Sequence, residues 1–96
     1  MPEELNEALK TLAQAIGEGL CVKAIYNRGA ITLAPESLVD KHGQLYVSAV
    51  RVEYDGRRPL QPKLGTFKLS GLTELRLSST PCSARQILET AALPAL

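Results

Sequence analysis

The feature that most constrains this chain is a change of hydrophobic period near residue 20. Upstream, Leu5, Ala8, Leu9, Leu12, Ala13 and Ile16 recur at three and four residues, the spacing that gathers side chains on one stripe of an α-helix. Downstream, Leu20, Val22, Ala24 and Tyr26 alternate with Cys21, Lys23, Ile25 and Asn27, the period of a strand with one covered face. The first pattern predicts a helix from Pro2 or Glu3 to Gly17, with proline and glutamates in its first turn and Gly17 and Gly19 at its end. The second predicts that the rest of the chain is mostly sheet.

Asn27-Arg28-Gly29 supplies turn residues, so the first strand folds back as Ala30 to Ala34, with Ile31 and Leu33 inward. Pro35 ends that strand, because proline has no N–H to give to a ladder. Pro35 to Asp40 reads as a bend or short strand, and Lys41-His42-Gly43-Gln44 as the next turn. Leu45 to Tyr54 is apolar on both faces at its start, which calls for cover on both sides: the N-terminal helix on one, the rest of a curled sheet on the other. Asp55-Gly56 is a turn signal, and Arg57-Arg58-Pro59-Leu60-Gln61-Pro62 makes this connection longer than a hairpin. Leu64 to Leu69, with Phe67 and Leu69 inward, and Leu72 to Leu77, with Thr73, Leu75 and Leu77 on one face, are joined by Ser70-Gly71. A terminal helix, about Ser83 to Ala92, follows Pro81 and stops at Pro94. The fold class is α+β, mostly β: a small, partly open barrel of five strands with an N-terminal helix and a short C-terminal one.

In 96 residues there is room for one hydrophobic core. No run approaches the ~18–20 apolar residues of a membrane helix, and the acidic start Met1-Pro2-Glu3-Glu4 is unlike a secretory signal. A soluble, cytoplasmic protein is expected, with Cys21 and Cys82 as buried or free thiols. The formal net charge of +1 supplies no bulk drive toward nucleic acid or anionic lipid, so any anion site must be local. Basic residues crowd the middle of the chain while glutamates hold its start.

Val22-Lys23-Ala24-Ile25-Tyr26, Leu33-Ala34-Pro35-Glu36-Ser37-Leu38-Val39, Gly43-Gln44-Leu45-Tyr46-Val47 and Thr66-Phe67-Lys68-Leu69-Ser70-Gly71-Leu72 follow one another in an order that resembles the WYL domain. This is a small Sm-like, SH3-like barrel found mostly in bacterial transcription regulators. The likeness runs from about Ala15 to Ser79 and implies a single WYL-like domain over 1–96, with its barrel at about 20–78 between helices at about 3–17 and 83–92. Leu45 stands where the family has tryptophan, and Lys68 is the remaining cation of the family's arginine-rich last motif. In the family that basic cluster is thought to bind a negatively charged ligand, nucleic acid or a nucleotide, and to pass the event to a DNA-binding domain.

Enzyme chemistry finds little to work with. The lone histidine, His42, falls in an exposed turn far in sequence from both cysteines, and no histidine or cysteine pair has metal-ligand spacing. No glycine loop of the phosphate-cradling kind is present. No cofactor is expected. The candidate site is a basic strand patch of Arg51, Arg57, Arg58 and Lys68, supported by Lys63, with Tyr46 or Tyr54 to stack a base. The plainer reading makes these outward residues on half-exposed strands and a solvated turn. Leu5, Leu9, Leu12 and Ile16, and likewise Ile87, Leu88, Leu93 and Leu96, are stripes that cover a core or meet a partner, and their surplus leaves room for an isologous dimer. Two functions follow: a ligand-sensing regulatory module for a nucleotide or short single-stranded nucleic acid, or a structural adaptor working through homodimer or protein contacts.

Overall fold

The computed structural model describes residues 3–92, with side chains from 6 to 90. Helix α1 (Glu3–Glu18) precedes strands β1 (Leu20–Tyr26), β2 (Gly29–Lys41), β3 (Gln44–Tyr54) and β4 (Leu64–Lys68). A 3-10 turn (Leu69–Gly71), strand β5 (Thr73–Pro81) and helix α2 (Ala84–Ala92) complete the chain as described. The expected Pro94 stop and the leucines at 93 and 96 lie outside the described residues. The strands form one antiparallel sheet in the order β4-β3-β2-β1-β5, so the architecture is α+β and mostly β, with β4 and β5 as open edges.

The reversals follow from residues that enter the left-handed region in pairs: Asn27 (φ 49) with Arg28 (φ 67), His42 (φ 51) with Gly43 (φ 78), and Asp55 (φ 50) with Gly56 (φ 82). Such pairs give a turn whose twist matches the strands on either side. The reversal after β3 is tighter than its sequence suggests. The Tyr54 N–H donates to the Arg57 carbonyl (2.8 Å) and the Arg57 N–H to the Tyr54 carbonyl (2.9 Å), so the irregular path begins only at Arg58.

Pro35 does not end its strand. It lies inside β2, opposite Ala49 of β3, and the register shift between Pro35 and Ser37 leaves Glu36 as an extra residue. The ladder to β1 has already stopped at Leu33, so at Pro35 the strand has a neighbour on one side and a bulge beside it, where a missing N–H is tolerated. Leu69, expected in a strand, is instead the buried first residue of the 3-10 turn.

The core lies between α1 and the sheet: Leu12 and Ala15 meet Val22, Ala24, Ile31, Leu33, Val47, Ala49, Leu69 and Leu72, with Leu9, Tyr26, Leu75, Leu77 and Phe67 against them. Tyr26 and Phe67 pack edge to face, their centroids 5.5 Å apart. On the helix the covered stripe passes through Ala15 while Ala13 faces solvent, a small rotation from the expected stripe. The second cover of β3 is not more sheet but α2, where Ala84, Ile87 and Leu88 close over Ala34, Val50 and Val52. Between Arg51 and Glu53 the register with β2 slips by one, and this extra residue turns Tyr54 back toward the core.

Tyr54 also explains Gly29. Its hydroxyl is shared between the carbonyls of Tyr26 (3.0 Å) and Asn27 (3.1 Å), and a Cβ on Gly29 would sit 2.6 Å from that oxygen. Gly29→Ala is expected to cost about 1–3 kcal/mol through this overpacking. Urea denaturation checks it; an unchanged midpoint would mean that Tyr54 gives way freely.

The cysteines are not free. Cys21 and Cys82 form a disulfide with Cα atoms 5.0 Å apart, inside the usual span of such bonds. β5 returns beside β1 so that Leu20 faces Pro81, and the Cys82 N–H donates to the Gly19 carbonyl (2.7 Å). This closure brings residues remote in sequence together, which cysteine spacing alone did not reveal.

Candidate functional site

An open cleft of about 810 Å³ lies where the end of β5 and the start of α2 meet the connection between β3 and β4. One wall carries the disulfide, Thr80, Ser83 and Ile87. The other is the Arg58–Pro62 stretch, with Leu60 fully exposed and Pro59 and Pro62 half-buried. Arg51 and Val52 line the cleft from β3. The prolines give Arg58–Lys63 no regular ladder, and the chain bends at Leu60 and Gln61, so this wall exists because β4 cannot follow β3 as a short hairpin.

Of the expected site residues, only Arg51 and Arg58 are brought together there. Arg57 is taken up in the reversal with Tyr54 and is exposed. Lys68 pairs with Tyr46 across β3 and β4, toward the other end of the sheet. Tyr46 and Arg51 are an odd number of residues apart on a regular stretch of β3, which puts them on opposite sides of the pleat: Tyr46 and Lys68 lie on the side of Val50, and Arg51 borders the cleft only from the end of that stretch, where the extra residue Val52 interrupts the register. The expected convergence of all the central cations on one wall therefore does not occur. Lys41 joins the second group, its Nζ 5.9 Å from the centre of the Tyr46 ring, while the Arg51 guanidinium lies 5.9 Å from the Tyr54 ring.

No family model, curated protein or solved structure matches the chain.

Among the described residues the one ion pair is Arg85–Glu89 at 3.0 Å, on the exposed side of α2, so neither Arg51 nor Arg58 is neutralised by a described carboxylate. Val52, Leu60, Ile87 and the prolines give these cations apolar surroundings. Arginine next to apolar wall recognises a planar or tetrahedral anion through paired N–H donors and accepts the flat body of a ligand against the same surface. Among the described residues there is no group of three or more histidine, cysteine or acidic side chains placed to hold a metal ion. His42 is exposed in its turn, as its sequence context indicates. The disulfide and Leu60 are the cleft features that sequence reasoning missed; the prolines flanking Leu60 were the available signal, and the disulfide had none.

Proposed function

We propose that this protein is a non-enzymatic binding module whose cleft takes an anionic ligand with a flat or apolar body, a nucleotide or the end of a short single strand of nucleic acid. The observation that carries the reading is the pair Arg51 and Arg58, uncompensated by described carboxylates, in a largely apolar cleft of a size suited to a small molecule. The binding patch thus shrinks from the strand cluster to these two arginines, and Arg57, Lys68 and Tyr46 fall outside it. The strand order β4-β3-β2-β1-β5, with a 3-10 turn before β5, supports a small Sm-like or SH3-like barrel and so the resemblance to WYL domains, with action on a transcription regulator as the corresponding role. A cytoplasmic location belongs to this reading and sits against the disulfide, which a reducing cytosol would tend to open. No described helix is long and apolar enough to cross a membrane.

Titration of labelled oligonucleotides at low and moderate salt tests the proposal. Binding is expected to weaken with salt, and Arg51→Gln and Arg58→Gln are each expected to weaken it by about tenfold, while Lys68→Ala leaves it nearly unchanged. No binding at ~100 μM oligonucleotide or mononucleotide would overturn it. The adaptor reading is favoured by a different observation, the full exposure of Leu60 at the lip of an apolar cleft. A stable dimer in solution that Leu60→Ser dissociates, without ligand binding, would decide for it.

A further inference from the structure

A second depression, of about 210 Å³, lies on the sheet and shares no lining residue with the cleft. Four of its side chains form a row across four strands: Arg76 of β5 is opposite Lys23 of β1, Lys23 is opposite Thr32 of β2, and Thr32 is opposite Glu53 of β3. Directly opposite residues point to the same side of a sheet with their Cβ atoms about 5 Å apart, so two cations stand side by side. Like charges in that position destabilise the pairing. Neither cation is relieved by an ion pair with a described carboxylate, and Glu53, on the same surface, reaches neither. Ile25 and Ala30 add an apolar floor.

We infer that this row is a binding site for a small phosphate monoester that also carries hydroxyl groups, of the sugar-phosphate class. The geometry sorts the ligand's parts. Lys23 and Arg76 face the phosphate dianion, which relieves their repulsion and accepts from both, with arginine offering parallel donors and lysine a point charge. Thr32 and Glu53, one and two strand spacings further on, accept from hydroxyl groups, and Glu53 repels a second phosphate. The volume is below the roughly 300–1,000 Å³ of drug-sized pockets, which restricts the ligand to a small one and separates this site from the nucleotide-sized cleft. A lone surface cation would carry no such assignment; the facing pair, with an acceptor at a fixed distance on the same face, does.

The probes are ribose 5-phosphate, inorganic phosphate and ribose, at matched ionic strength, followed by backbone amide shifts and by thermal unfolding of the full chain. Ribose 5-phosphate is expected to move the amides of Lys23, Thr32, Glu53 and Arg76 saturably, and ribose not to. Lys23→Gln and Arg76→Gln are each expected to weaken binding by about tenfold or more, and each to raise the unfolding temperature without ligand by removing the facing charge. Glu53→Gln is expected to weaken ribose 5-phosphate while leaving inorganic phosphate unchanged. Arg51→Gln is expected to change none of these, so failure here is distinct from failure of the cleft. Shifts that do not saturate, or binding that survives both cation substitutions, would overturn the site. Equal affinity for inorganic phosphate would overturn the assignment of the hydroxyl-bearing class.

Discussion

Replacing Cys21 and Cys82 together by alanine is expected to lower stability by about 2–4 kcal/mol and the unfolding temperature by roughly 10–25 °C. The bond joins residues 61 positions apart, and closing a loop of that length removes enough freedom from the unfolded chain to account for about 4 kcal/mol in the chain-entropy model. Two further consequences are local. The bond fixes the start of α2 against the start of β1, just past the Leu20–Pro81 pair that begins the β1–β5 ladder, and it holds one wall of the cleft. Reduction of the intact protein should therefore loosen α2 before it unfolds the sheet. Thermal unfolding of the double variant, and amide exchange of α2 with and without reductant, measure both effects. A loss below about 0.5 kcal/mol, within the range of ordinary surface changes, would show that the bond is not formed in solution.

Leu12→Ala is expected to cost about 2–5 kcal/mol. Leu12 is fully buried, one helical turn from Leu9 and Ala15, and belongs to the main core with Val22, Leu33 and Val47. Removing its outer carbons forfeits their burial and leaves a cavity in that core. The same substitution on an exposed partner-binding stripe would change stability by no more than about 0.5 kcal/mol, so the experiment separates the two roles open to this helix. With small domains stable by only about 5–15 kcal/mol, either this variant or the open disulfide brings the fold near its limit. Denaturant titration of the single variant and of the reduced protein gives the two terms independently.

Much of this architecture is legible in local pattern. The change of period near Gly19 marks the boundary between α1 and β1, and the Asn-Arg-Gly, His-Gly and Asp-Gly reversals mark the hairpins, because these signals act within a few residues of one another. What escaped is what depends on register. Pro35 reads as a stop until it is known that β1 no longer flanks it. Cys21 and Cys82 read as separate thiols until β5 is placed beside β1. The candidate site divides in the same way. Arg51 and Lys68 are both cations of strands that are sheet neighbours, but the odd spacing from Tyr46 to Arg51 sends them to different sides. Arg58 reaches the cleft only because the proline-flanked connection folds back as a wall, and no periodicity describes that path. Lys23 and Arg76 were not candidates at all, since their pairing belongs to the ladder between the first and last strands.

The most direct test of the cleft is a titration of the isotope-labelled protein with adenosine monophosphate, read at each backbone amide. Saturable shifts are expected, confined to Val52, Gln61, Ser83, Gln86 and Ile87 and their neighbours, and lost when Arg51 and Arg58 are both changed to glutamine. Shifts centred on Tyr46 and Lys68 instead, or none at millimolar nucleotide, would contradict it.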